Sequence, residues 1–244
     1  MRNAWIIGAL LAALTVARPA YTQQFNSDSY LSKAHGVATV IVTYGQRNSM
    51  IMNTFSLLPR WEFTAAAYIY DDDRDANTDD GYSTSLFAKY MFYENPAKTG
   101  GFAMKVGTGL DPGYLDAENR LQDAFRTYWV NAPATIPLLN NELSWDLMPG
   151  ASVTNHGKGI FTYTTRLAWY PESPTWSLVG EIVGAKGEGT SPPEYRAGFR
   201  FEPNPYAVFA ITYDQEFSSL SGAGVEFGMM LFTPPFFGIG MPKK

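Results

Sequence analysis

From residue 36 onward the apolar residues alternate with polar or small ones at a period of two, the mark of extended strands whose two faces meet different surroundings. In "YSTSLFAKYMFYE" one row is Tyr82, Thr84, Leu86, Ala88, Tyr90 and Phe92, and the other is Ser83, Ser85, Phe87, Lys89, Met91 and Tyr93. "GFAMKVGTGL" sets Phe102, Met104, Val106, Thr108 and Leu110 against Ala103, Lys105, Gly107 and Gly109. In "IFTYTTRLAWY" the rows are Phe161, Tyr163, Leu167 and Trp169 against Thr162, Thr164 and Arg166. "YRAGFRFE" and "GVEFGMML" split the same way, Tyr195, Ala197, Phe199 and Phe201 against Arg196, Gly198 and Arg200, then Val225, Phe227, Met229 and Leu231 against Glu226 and Gly228. The apolar row is the broad, aromatic one. A soluble sandwich also alternates, but its polar face is richer in Lys, Glu and Thr than in Gly and Ser.

The pattern predicts twelve strands, at 37–45, 50–58, 61–70, 82–93, 101–110, 125–136, 141–153, 160–170, 175–185, 194–202, 205–214 and 223–232. Most have the length that a tilted strand needs to cross a bilayer. The connections alternate too. "LPR", "ENPAKTG", "PLLNN", "PESP" and "EPNP" form a tight set, whereas "GQRNS", the aspartate-rich "IYDDDRDANTDDGYS", "DPGYLDAENRLQDA", "NHGKG", "KGEGTSPP" and "QEFSSLSGA" form a set that tends to be longer. An even strand number with short turns on one side and longer loops on the other is the layout of a transmembrane barrel, both termini lying on the short-turn side. Aromatic residues mark strand ends, as amphipathic rings at a membrane boundary do. Trp61, Phe92, Tyr93, Trp169, Tyr170, Trp176, Phe201 and Tyr206 stand beside the short turns, and Tyr44, Tyr68, Tyr70, Tyr82, Tyr163, Tyr195 and Tyr213 near the longer loops.

The fold class expected is therefore all-β, a single antiparallel up-and-down transmembrane β-barrel at 37–232. Residues 1–22 read as a signal peptide, with one Arg, an apolar run from Ala4 to Ala17 and a cleavage position at Ala17 or, less well, Ala20. That run is too short to span a bilayer as a helix; an uncleaved anchor is the competing reading. Residues 23–36 would form an N-terminal periplasmic segment and 233–244 a C-terminal tail.

This layout resembles bacterial outer-membrane β-barrel proteins over nearly all of the sequence after the leader. Within them it is similar to the medium-sized porin and transporter-type barrels, including those grouped as transporters of aromatic-degradation pathways. The resemblance implies an outer-membrane location, outer-membrane lipids and the barrel assembly machinery as partners, and a porin-like or transport role for small solutes. Such barrels usually finish on an aromatic residue, whereas here "VEFGMMLF" is followed by "TPPFFGIGMPKK". Either Phe232 serves as that assembly signal or the tail returns into the barrel mouth.

Composition narrows the chemistry. There is no Cys, which excludes disulfides and thiolate metal sites, and a net charge of -5 argues against nucleic acid. On the inward row the charges are Glu62, Lys89, Lys105, Glu142, Asp146, Arg166, Glu181, Arg196, Arg200 and Glu226. From Asp146 through Arg166, Glu181, Arg200 and Glu226 the sign alternates, and Glu62 sits beside Lys89. A lumen of one sign would select ions; alternating signs fit either a salt-bridged interior or a lined solute path. Three roles follow: solute passage, a structural or surface-interaction barrel with an ion-paired closed lumen, and an outer-membrane lipid-modifying enzyme. For the enzyme the candidate base is His156 in "SVTNHGKGI", flanked by Ser152 and Asn155, although Asn-His-Gly is also ordinary turn chemistry.

Asp71, Asp73, Asp75, Asn77 and Asp79 match the alternate oxygen ligands of a calcium loop, but Ala76 replaces the sharp-turn Gly and Tyr82 the bidentate Glu. The two readings are a weakly bound calcium ion and a solvated loop of like charges. No other cofactor is expected.

Overall fold

The structure, a computed structural model, describes residue 29 and residues 35–46, 48–70, 81–112, 125–154, 159–171, 175–187, 190, 192–218 and 224–236. Thirteen strands run in chain order: β1 Ala38–Gly45, β2 Asn48–Leu58, β3 Trp61–Tyr70, β4 Gly81–Glu94, β5 Gly101–Gly109, β6 Thr127–Asn131, β7 Ala134–Leu138, β8 Leu143–Thr154, β9 Gly159–Trp169, β10 Trp176–Lys186, β11 Glu194–Asn204, β12 Ala207–Glu216 and β13 Gly224–Phe232. All pairings are antiparallel, and β1 pairs with both β2 and β13, so the sheet closes on itself. β6 and β7 are two halves of one crossing, both hydrogen-bonded between β5 and β8, which makes a closed 12-strand barrel.

The interruption of the sixth crossing departs from the single strand expected at 125–136. Pro133 has no N–H to give to a ladder and fixes its own φ. The chain crosses the gap with the Pro133 carbonyl accepting from Ala103 N at 2.9 Å and Ala132 N donating to the Pro149 carbonyl at 2.9 Å.

Both rows lie where the alternation places them except at the end of β5, where Thr108 and Leu110, on the outward row of the sequence, are buried because the chain turns inward there. Leu86, Val106, Val130, Leu167, Phe199, Ile211, Phe227 and Leu231 are exposed on the outer surface, while Ser83, Ser85, Lys89, Lys105, Thr162, Thr164 and Arg166 are buried inside. A soluble protein does not wrap a continuous band of exposed Leu, Val, Ile and Phe around a polar interior; a barrel in lipid does. We expect Val106→Arg, in the middle of β5 on that band, to lower the unfolding free energy by about 2–4 kcal/mol in bilayers. Urea titration of the refolded protein checks this, and a loss below ~0.5 kcal/mol would place Val106 outside the apolar slab.

Two girdle aromatics, Tyr68 and Tyr170, differ from expectation, and Tyr93 keeps its girdle place against the parity of its row. Tyr93 shares a row with Met91 in the sequence, yet a bulge between Met91 and Tyr93 shifts the register, leaving Tyr93 outside beside Phe92. Tyr68 and Tyr170 do not join the outer girdles. Tyr68 has the parity of Glu62, Thr64 and Ala66 and is buried within the barrel, and Tyr170 is buried with its hydroxyl donating to Glu202 Oε1 at 3.4 Å. Trp169, Phe201, Tyr206, Tyr44, Tyr82 and Tyr213 are exposed near strand ends.

At the C-terminus Phe232 points inward, opposite Thr39. Pairing continues into the start of the expected tail, where Thr233 N donates to the Ala38 carbonyl and Phe236 N to the Gly36 carbonyl, at 2.9 and 2.8 Å. The expected signal peptide at 1–22 lies outside the described residues, as does the tail from 237.

Candidate functional site

The interior of the barrel is the site, and the strand register arranges it. Residues directly opposite on neighbouring strands project to the same face about 4.8 Å apart. Because barrel strands tilt by about 35–45°, a row of such residues climbs by about 3 Å per strand. Three rows of different chemistry result.

The first is charged. Asp146 on β8 faces Arg166 on β9, Arg166 faces Glu181 on β10, Glu181 faces Arg196 on β11, and Arg196 faces Asp214 on β12. The sign alternates at every step. The row starts three residues from the turn end of β8 and finishes two residues from the loop end of β12, so it rises about 12 Å along the lumen. Glu226 on β13 stands diagonally beyond it and interacts with Arg196. Relative exposure grows along the climb, 0% at Asp146, 1% at Arg166, 2% at Glu181, 5% at Arg196, 7% at Asp214 and 9% at Glu226. All six are buried, the least exposed at the turn end. At its base Arg166 donates from Nε and Nη2 to Asp146 Oδ2 at 3.0 and 2.7 Å, and Thr135 Oγ1 donates to Asp146 Oδ1. At its upper end a single guanidinium, Arg196, lies among Glu226, Asp214, Glu181 and Glu194.

The second row is apolar. Val208, Met230, Ile41, Met52 and Ala66 are directly opposed in sequence from β12 through β13, β1 and β2 to β3, and all are buried. It also climbs from the turn end to the loop end, starting near the turn end of β12, the strand on which the charged row finishes near the loop end. Tyr68, Phe87 and Trp129 extend its apolar cluster.

The third row is polar and runs between them. Glu62 on β3 faces Lys89 on β4, which faces Lys105 on β5, which faces Asn131 on β6. Glu62 Oε2 and Lys89 Nζ pair at 2.6 Å. Lys105 sits beside a like charge, and its Nζ lies 4.8 Å from the Phe87 ring centre and 5.8 Å from that of Trp129, an arrangement that stabilises an ammonium in place of water.

Asn131 also ties down the β5–β6 connection. Asn131 Nδ2 donates to Asp111 Oδ1 at 2.8 Å and Thr162 Oγ1 to Asp111 Oδ2 at 3.4 Å. Leu110 and Asp111 are buried, so the chain turns inward where β5 ends. Gly109 makes that turn with φ +88°, in the left-handed region that other residues avoid. Gly150 makes room for the latch, since a Cβ there would lie 1.7 Å from Asn131 Oδ1.

Two expected lumen residues sit differently. Glu142 is exposed, in the turn before β8, where its αR backbone closes the 3-10 turn Leu139–Asn141; the alternation that would carry it inward begins only at Leu143. Arg200 is inside but off the charged row. It faces Ser177, and its Nε pairs with Glu202 Oε1 at 3.0 Å, because Arg196 and not Arg200 is in register with Glu181. Sequence reasoning missed Asp111, Asn131, Glu202 and Asp214. Asp214 was findable, having the parity of Val208, Ala210 and Thr212; Asp111 was not, because nothing local shows that the chain turns inward.

Asp71, Asp73, Asp75, Asn77, Asp79, Asn155 and His156 lie outside the described residues. Ser152 is buried inside near the loop end. His35 is at the opposite end, with Nε2 2.9 Å from the Leu57 carbonyl.

No protein-family model matches the chain, and a search of curated proteins finds no match. Solved structures do match in fold. The KdgM porin superposes with a TM-score of 0.56 at 8% identity, covering 80% of this chain and 98% of that one, as it does in complex with disordered oligogalacturonate, at 9% identity. An outer membrane channel from Pseudomonas putida F1 superposes with a TM-score of 0.56 at 12% identity, covering 84% and 98%. At these identities the likeness concerns the barrel fold.

Proposed function

We propose that the chain is an outer-membrane barrel of porin type that passes small polar solutes through a narrow hydrated lumen. The observation that carries this reading is the set of inward hydroxyls with no protein partner, on Ser56, Ser85, Ser144, Thr164, Ser177 and Thr212. Each is buried in the packed interior, and a buried polar group without a protein partner calls for water; the six are distributed over β2, β4, β8, β9, β10 and β12, so the reading requires water to enter along the barrel, beyond a single trapped site. The described charged side chains inside are almost fully covered, which keeps the passage narrow and its solutes small. The porin and channel folds support the same reading, as does the outward apolar band for the location. Lipids of that membrane and the machinery that inserts barrels are the partners it requires.

One observation favours a second reading. The Asp146–Arg166 pair at the turn end is 0% and 1% exposed, as in a lumen shut by its own ion pairs with the loops performing the function. Single-channel recording of the refolded protein in a planar bilayer separates the two. Stepwise conductance establishes the passage, and silence from folded protein supports the closed barrel. Recording with and without millimolar calcium also tests the aspartate loop at 71–80. A calcium-dependent change in conductance or gating supports a bound ion there, and superimposable traces leave the loop as a solvated run of like charges.

A further inference from the structure

We infer that the passage selects small zwitterions bearing an apolar group, the chemistry of free amino acids with aliphatic or aromatic side chains. This rests on the hydrated-lumen reading and adds a substrate class to it. Three features combine. The charged row presents opposite signs at successive strands from Asp146 to Asp214. A solute of one sign meets a like charge at every second step, whereas a dipolar solute can turn its matching end toward each. Toward the loop end of the row Arg196 is buried, 5% exposed, and its Nε has no hydrogen-bond partner. It lies among Glu181, Glu194, Asp214 and Glu226, so carboxylates outnumber it locally. That set offers a donor to a solute carboxylate and surplus acceptors to an ammonium, both in charge-assisted hydrogen bonds. The third feature is the neighbouring Val208–Met230–Ile41–Met52–Ala66 row, which starts on β12, where the charged row ends, and climbs onward through β13, β1, β2 and β3, giving an apolar side chain a surface that the charged wall denies it.

Alternative solutes fit less well. A monoanion meets the carboxylate surplus at the loop end, a monocation meets Arg196 and then Arg166, and a neutral polar solute hydrogen-bonds to both charged partners without the ion pairing that a zwitterion adds.

The test is a swelling assay on proteoliposomes with four solutes of closely similar size, each corrected for protein-free vesicles: leucine, leucinamide as the cation, 4-methylpentanoate as the anion and 4-methylpentanamide as the neutral form. We expect leucine to enter about tenfold faster than the neutral amide, the value of one net charge-assisted contact, with both singly charged analogues slower than leucine. Arg196→Gln brings the ratio of leucine to neutral amide to about one, and the paired substitution Asp214→Asn with Glu226→Gln lowers it as well. Because the readout is a ratio within each protein, it does not depend on how much barrel folds. Entry of the amide without any leucine advantage in the unaltered protein overturns the selectivity and leaves the passage standing. A leucine advantage that survives Arg196→Gln and the paired variant overturns the assignment of these residues, and entry of none of the four overturns the passage and the inference together.

Discussion

Arg166→Ala should lower the unfolding free energy of the barrel by about 3–5 kcal/mol, the cost of leaving a buried charge without its partner. Asp146 is 0% exposed, so its carboxylate cannot turn to solvent when the guanidinium is removed. Arg166 also faces Glu181 on its other side, and the substitution therefore leaves two inward carboxylates with no cation between them. Urea unfolding in lipid vesicles measures the loss. Asp146→Asn combined with Arg166→Met should recover most of it, because replacing both members removes the unpaired charge along with the pair. A single-variant loss below ~1 kcal/mol would mean that water reaches the pair and screens it, as at exposed ion pairs.

Gly109→Ala should cost about 2–4 kcal/mol, combining a left-handed backbone that L side chains rarely adopt with a steric conflict. A Cβ there would stand 2.0 Å from the Thr84 carbonyl oxygen, the acceptor of the Leu110 N–H at 3.0 Å. The substitution thus acts on the inward turn that carries Asp111 to Asn131. Hydrogen exchange at the Leu110 amide reports it directly, with protection expected to fall while that of β9 and β10 persists. Gly180→Ala is the control, since nothing lies within 4 Å of its added Cβ, and its effect should stay within ~0.5 kcal/mol. Equal losses in the two variants would show that Gly109 has no special part in the turn.

The limits of the sequence reading appear at particular residues. Lys89, Lys105, Arg166 and Glu181 could be placed inside because each belongs to a long, unbroken alternation, and a strand side chain has only two faces to choose from. Tyr93 and Glu142 could not, because a bulge in one case and an αR turn residue in the other end the alternation just where they sit. The step opposite Glu181 shows a different limit. Arg196 and Arg200 share a face, and only the pairing register of β10 with β11 decides that Arg196 completes the charged row. Register depends on turn geometry and on the fit of whole strands, which no single strand records.

By itself the sequence determined most of the residues that cross, the face of each side chain within an unbroken alternation and that the apolar face is the outer one, since a period of two is written residue by residue along the chain. The tertiary structure alone decided that the inward residues fall into a charged, an apolar and a polar row climbing the lumen together, that exposure grows from Asp146 to Glu226, and that Asp111 reaches Asn131 and Thr162. The physical reason is closure. Strand tilt and register, fixed only when β1 meets β13, convert a set of inward positions into neighbours, and neighbours are what give a charge its partner.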